Sequence, residues 1–342
     1  MPRAVSRERS LALDSGTVTT WKTYTAGIGY ATIFGFSFLV TKNALAALDP
    51  FELLFLRFAV AALAMSALAA LDVIELEFRG KKIRDLVLVC LLQPVIYFAC
   101  ETLGVRESAT STAGIVLGAL PAAVAILGML MLNERLGKLQ TFCLGLSVSG
   151  VMVIVLSAAS GGTTSLGTPA GIAFLFGALA SAAFYNIYSR KASRAFTPVE
   201  TTFAMMWTGA LVFGGVALVR GLTGGNLVGE AGLPTRAVSA WGGIAYLGLL
   251  SSVLAFFCVN YSLSRLRASQ SVVFANLTTV VAVVAGVAFR GEPFGPAQIL
   301  GAAMIVLGVW GTNASGQRPL SRQAPEQVRT APSKDPGTCG GR

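Results

Sequence analysis

Residues Leu91–Leu132 read LLQPVIYFACETLGVRESATSTAGIVLGALPAAVAILGMLML, and Leu249–Arg290 read LLSSVLAFFCVNYSLSRLRASQSVVFANLTTVVAVVAGVAFR. Aligned at an offset of about 158 residues and carried on to Val151, the two stretches share roughly thirteen identities in some sixty ungapped pairs. Self-similarity at a fixed offset marks a duplicated structural unit. Composition alone can produce apolar matches such as Val95 with Val253 or Phe98 with Phe256. It does not account for Glu134 with Glu292, Gln140 with Gln298 or, upstream, Pro50-Phe51-Glu52 with Pro198-Val199-Glu200. Each copy also holds long apolar runs. A hydrocarbon core about 30 Å thick needs ~20 apolar residues per helix, so these runs make the chain an all-α membrane protein.

Working outward from the repeat gives ten such runs, each ended by charge, Pro or Gly. They are Tyr24–Val40, Phe51–Leu71, Leu86–Gly104, Thr110–Leu132, Leu139–Ser157, Ala170–Tyr188, Thr201–Val219, Trp241–Leu263, Ser269–Phe289 and Ala297–Thr312. Unbroken runs of this length exclude the two-residue alternation of a β-barrel. Two copies with an odd number of spans each must insert in opposite orientations. The expected architecture is therefore ten transmembrane helices as two inverted five-helix repeats. It divides into an N-terminal tail (1–22), a first repeat (23–157), a linker (158–168), a second repeat (169–313) and a C-terminal tail (314–342). The linker is uncharged and rich in Gly, Ser and Thr, as a joint between fused halves should be. Leu11–Leu13 is too short an apolar patch for a signal-peptide core, and the Pro-, Ser-, Gln- and Arg-rich C-terminal tail is expected to be disordered.

The charges are few and placed. Only 12% of the 342 residues are Asp, Glu, Lys or Arg, about half the ~25% of a soluble domain. Sorted by span, about 20 basic residues fall on one side, against Lys42, Arg106, Arg220, Arg236 and Arg290 on the other. The positive-inside bias then puts both termini in the cytoplasm, in a multi-pass protein of the inner or plasma membrane. The net charge of +10 is thus a topology signal; a nucleic-acid partner would need a basic face or stripe, and none is expected. The chain has 0 histidines, which removes His-ligated zinc and Ser-His or Cys-His nucleophile pairs. No Walker A string is present, so ATP is not expected to drive it. Neither a cofactor nor a metal is expected, and the 5 cysteines read as reduced small hydrophobes.

The order and doubling of several short features carry a family resemblance. An L-x-E-x-L-G-like ending follows the fourth and ninth runs (Leu132–Gly137, Arg290–Gly295). Pro94-Val95-Ile96-Tyr97-Phe98 precedes Glu101-Thr102, and a Gln298–Gly308 run closes the membrane part. Over Tyr24–Asn313 the chain resembles the EamA type of the drug/metabolite transporter superfamily. The resemblance implies a central substrate cavity lined by the first, third, fourth, sixth, eighth and ninth helices, with the fifth and tenth at the periphery. The fourth run has Pro121, whereas the ninth has Thr279 where the family usually keeps proline. The two halves are therefore not expected to move as mirror images.

Two charged residues lie well inside runs, Arg57 and Glu101, and intramembrane charges cost at least ~2.5–3.5 kcal/mol. Both fall in the outer half, so a pair is geometrically possible. Unpaired, Glu101 can carry a proton; paired with Arg57⁺, it becomes a gate or an anion clamp. The structural alternative is that Glu101 is hydrated near the outer surface and Arg57 snorkels. Their repeat equivalents, Val259 and Met205, are uncharged, which suits a substrate or ion site better than a scaffold need. Tyr97 stands one turn before Glu101. Tyr185, Asn186, Asn260 and Asn276 are further pathway candidates, although helix–helix hydrogen bonding explains each of them equally well. Gly114, Gly118 and Pro121 read first as close packing and a kink.

The function expected is a secondary, non-ATP transporter of a small metabolite such as an amino acid, working by alternating access. The export direction follows from the resemblance alone. A multidrug efflux permease is the alternative; a non-transporting scaffold or an intramembrane enzyme is a further, weaker one. The partners are a small-molecule substrate and the lipid bilayer, with proton coupling through Glu101 a second expectation. Substrate identity and oligomeric state stay open.

Overall fold

The computed structural model describes residues 25–81, 83–132, 137–159, 167–222, 241–265, 268–292 and 295–316. The two tails, Glu134 and most of the linker 158–168 lie outside the described residues. Helix α1 spans 25–44, α2 Pro50–Ala70, and α3 Ile83–Glu107. Helix α4 is formed by Thr110–Gly118 and Leu120–Leu132, α5 by Lys138–Ala159, α6 by Pro169–Ala192 and α7 by Pro198–Leu222. Helix α8 starts at Trp241 and runs through Tyr246–Ala255 and Phe256–Arg265; α9 is Ala268–Arg290 and α10 is Pro296–Gly316. Among the described residues, helices α2, α3, α4, α6, α7 and α8 are the 6 long and apolar enough to cross a membrane. The apolar stretches of α5, α9 and α10 are shorter, at Thr141–Gly150, Leu277–Arg290 and Pro296–Gly308. The chain is an all-α, multi-pass membrane protein.

The repeated Pro-x-Glu has a local cause. At the start of α2 the Asp49 carboxylate accepts the Phe51 N–H (3.1 Å), and Glu52 reaches back to accept the Asp49 N–H (3.2 Å). At the start of α7 the Thr197 hydroxyl accepts the Glu200 N–H (3.2 Å), and Glu200 accepts the Thr197 N–H (2.9 Å). Both are capping boxes, with proline at the first helical position where its missing N–H costs nothing. Glu200 reaches further. It also accepts the Glu77 N–H (2.9 Å) and pairs with Lys81 (2.7 Å), fastening the α2–α3 connection to the start of α7.

Polar contacts gather the helix termini into two ends. At one end Lys42, closing α1, donates to the carbonyls of Val105, Arg106 and Ser108 at 2.8, 2.7 and 2.8 Å. Glu292, just after α9, accepts the Thr110 and Ser111 N–H groups that open α4, both at 2.8 Å. Arg220 at the end of α7 reaches Asp49 before α2 (2.8 Å), and Ser108 bridges to Gly167 before α6. Gly167 holds φ +120 with Ser108 packed where a Cβ would stand, so glycine is required there. At the other end lie Lys81 with Glu200, Lys191 with Asp85 (3.3 Å), and Phe78 against Phe196.

Between the ends, α2 packs on α7, α4 on α9 and α5 on α10, and α3 packs on α6. Matched glycines allow the α5–α10 crossing. Gly150 lies against the Gly301 carbonyl, and Gly308 against the Cys143 carbonyl and Ser147. Helices in lipid gain from such close backbone approach.

Two helices are broken, both in the first repeat. In α3 Gln93 is extended (φ −145, ψ 115) just before Pro94, whose ring leaves no N–H to close the turn. The Leu92 carbonyl instead accepts the Ser181 hydroxyl from α6 at 2.7 Å. In α4 the first segment stops at Gly118, and Leu120-Pro121 starts the second. The counterparts keep their hydrogen bonds in another form: α9 runs unbroken through Thr279, and α8 widens to a π-helical stretch over Tyr246–Ala255.

Candidate functional site

A cavity of about 150 Å³ opens beside these two breaks. Its walls come from α1 (Tyr30, Phe34, Ser37), α3 (Gln93, Tyr97, Phe98, Glu101) and α4 (Gly114, Gly118, Pro121). The rest come from α6 (Tyr185, Asn186), α8 (Phe256, Val259) and α9 (Thr278, Thr279). These are the six helices that the family resemblance implied; α5 and α10 supply no lining residue.

Tyr97 and Glu101 stand one turn apart on α3 and Gln93 lines the same cavity from the break, so α3 presents an amide, a phenol and a carboxylate to it. Glu101 is only 2% exposed, and its hydrogen bond from the Thr102 hydroxyl is long, at 3.4 Å. Among the described residues it is the one carboxylate in the wall, and no described Lys or Arg lines the cavity. Sequence reading had singled out Tyr97 and Glu101 and passed over Gln93. The spacing signal was present, but the adjacent Pro94 marks that stretch as a break, which hides its register with the following turn.

Arg57 lies outside the cavity wall. It is 2% exposed, and its Nε donates to the Ser252 hydroxyl (2.7 Å) while Nη2 donates to Ser251 (2.8 Å) on α8. Its guanidinium stands 4.2 Å from the ring centre of Phe98 and 5.6 Å from that of Phe58. The expected alternatives for this residue, a direct pair with Glu101 or an outward snorkel, give way to a buried cation held by two hydroxyls and two rings. The reason is packing: Gly248 lets α8 approach the Arg57 carbonyl and Val60, which brings Ser251 and Ser252 within reach of the side chain. A guanidinium in hydrocarbon then has both donors and aromatic faces satisfied.

The remaining candidates separate. Tyr185 and Asn186 line the cavity; Asn186 donates to the Ala182 carbonyl (2.8 Å). Asn260 sits behind the wall, accepting the Tyr185 hydroxyl (2.7 Å) and donating to Thr202 (3.0 Å), so it ties α6, α7 and α8 together. The side chain of Asn276 lies outside the described residues. Gly114 and Gly118 pack against Ala282 and Thr279 of α9, and with Pro121 they also border the cavity. Ser37 and Thr278 line it as well but spend their hydroxyls on their own helices, at Phe34 (2.7 Å) and Phe274 (3.1 Å). Among the described residues no group of three or more His, Cys, Asp or Glu could hold a metal.

Outside the spans, Glu292 titrates below its ordinary value. Burial alone would raise it, and the N–H groups and hydroxyls of Ser111 and Thr110 overcome that effect. Lys42 is lowered by burial and by the nearby Arg290.

Comparisons with known proteins extend over the whole membrane part. The model of the EamA-like transporter family matches residues 21–156 and again 169–314. The "Uncharacterized transporter YcxC" of Bacillus subtilis (strain 168) is 34% identical over 300 residues, covering 87% of this chain and 95% of that protein. The "Probable terminal-alkyne amino-acid exporter" of Streptantibioticus cattleyicolor is 26% identical over 270 residues, covering 78% and 84%. A solved crystal structure superimposes with a TM-score of 0.59 at 18% identity over 89% of this chain and 99% of the other, a likeness of fold. The relatives are transporters, and neither their names nor the cavity points to an enzyme.

Proposed function

The chain belongs to the EamA-like transporter family, secondary transporters of the membrane, and from that premise we propose that it exports a small metabolite such as an amino acid. Transport proceeds by alternating access of two inverted five-helix repeats, with all ten helices spanning an inner or plasma membrane and both termini cytoplasmic. The observation that carries this reading is the cavity walled by α1, α3, α4, α6, α8 and α9, with a buried carboxylate on one side. Three further features support it. Three helices pack on their repeat equivalents, α2 on α7, α4 on α9 and α5 on α10. Helix termini gather into two polar ends in the alternation the basic residues call for. A relative 26% identical is named as an amino-acid exporter.

The volume favours a small cargo over a multidrug role, since sites for drug-sized molecules run to roughly 300–1,000 Å³. A scaffold would gain nothing from burying Arg57 and Glu101. Glu101 is also where a proton can be exchanged for cargo, which couples export to the proton gradient. The test is flux. Purified protein in proteoliposomes, offered a panel of labelled amino acids, amines and sugars, is expected to carry at least one by counterflow. Absence of counterflow for every member overturns the reading.

A further inference from the structure

The wall of the cavity is chemically one-sided. Its charged group is the Glu101 carboxylate, with Tyr97 one turn before it and Gln93 at the break that precedes Tyr97. The nearest cation, Arg57, is turned to Ser251 and Ser252 and lies across the ring of Phe98, which itself lines the cavity. The remaining surface is mostly aromatic and aliphatic, from Tyr30, Phe34, Phe98, Phe256 and Val259. Building on the transporter reading, we propose that the cargo is a small amphipathic amine, its ammonium held by Glu101 beside Tyr97 and its apolar body against the aromatic wall.

Three arguments converge on this class. A buried carboxylate facing a cavity with no cation among the described residues of its wall attracts a positive group and repels an anion. In a low-dielectric site that preference is strong. An ammonium brings three donors, and the Glu101 carboxylate and the Tyr97 oxygen one turn away are acceptors for them. The ring faces of Tyr30 and Phe34 stabilise a cation as well as an apolar body. Size points the same way: the cavity falls below the roughly 300–1,000 Å³ of sites for drug-sized molecules, so the cargo is small. For an amino acid the same geometry makes the amine the recognised end and leaves the carboxylate without a partner in the wall.

The experiment compares molecules of one shape and different charge on the full chain in detergent. Phenethylamine, phenylalanine and 3-phenylpropionate are titrated by calorimetry, and each is also tested for counterflow in proteoliposomes. Phenethylamine is expected to bind about tenfold or more tighter than 3-phenylpropionate, with phenylalanine between them. Glu101→Gln, near-isosteric and checked for folding by size exclusion, is expected to erase most of that preference. Equal or tighter binding of 3-phenylpropionate, or an unchanged charge preference in Glu101→Gln, overturns the amine assignment. The charge series on the native protein decides the matter even where the variant fails to fold. The two readings fail separately. Counterflow of a cargo without an amine, with no amine bound, sinks this inference and leaves transport standing. Amine binding with no counterflow does the reverse.

Discussion

On α3 positions 93, 97 and 101 carry Gln93, Tyr97 and Glu101; on α8 the equivalent positions carry Ser251, Ala255 and Val259. The first set faces the cavity with polar groups. In the second, Val259 lines it, Ala255 is fully buried, and Ser251 is spent on Arg57. The backbones differ in the same sense, with α3 and α4 broken next to Pro94 and Pro121 and α9 continuous through Thr279. Features that serve packing are kept in both copies, as the capping boxes before α2 and α7 and the matched Gly150 and Gly308 show. Duplication thus preserved the contacts that each copy needs for itself. The chemistry of a single central cavity is needed only once, and a second carboxylate at 259 would face the first at close range and repel it.

Predictions follow from this contrast in order of size. Glu101→Gln leaves α3 without its charge, as α8 already is, and is expected to abolish flux driven by a pH gradient in vesicles. An unchanged dependence on the gradient would show that the α3 stripe is not where protons act. Arg57→Met installs the residue of the equivalent position, 205, and strips the two α8 hydroxyls of their donor. It is expected to cost about 3 kcal/mol, read as a lower SDS-unfolding midpoint, because two buried hydroxyls lose their donor and two rings lose the cation against them. Gly118→Ala pushes a Cβ onto Thr279, where the broken and unbroken helices touch. A loss of about 1–3 kcal/mol is expected, and a neutral outcome would mean that α4 yields more easily than its contact with α9 implies.

The smallest effect concerns how the second copy holds the first. Glu292 titrates below its ordinary value because the α4 N-terminus donates to it. Its stabilising effect is therefore complete above the ordinary carboxylate range, ~4, and is lost as the pH falls through the folded value. Glu292→Gln should flatten the acid limb of thermal stability in detergent while leaving the neutral-pH melting curve close to that of the native protein. An acid limb of the same steepness in both would assign the effect to other carboxylates.

Much of the architecture was legible from the chain. Run length separates a membrane helix from a soluble one, a fixed offset exposes a duplication, and the positions of basic residues sort the ends. The run ends needed only local adjustment, as when α3 begins at Ile83 and reaches Glu107 because its terminal turns are polar yet still hydrogen-bonded. Tyr97, Glu101, Tyr185 and Asn186 were legible as cavity candidates because scarce polar groups on apolar helices stand out. Gln93 was not, since a proline beside it conceals its register. Asn260 and Arg57 were legible as unusual, but not as to their partners.

The sequence by itself determined the fold class, the duplicated unit and a short set of polar groups inside it. Those properties reside in runs, periods and offsets along one chain. Only the tertiary structure decided what those groups do: that Arg57 is bound 195 residues away by Ser252, that Asn260 serves Tyr185, and that Gln93 joins Tyr97 and Glu101 on one wall. The physical reason is that periodicity states which way a side chain faces on its own helix. What it meets there depends on how closely another helix can approach, and glycines such as Gly248 set that distance.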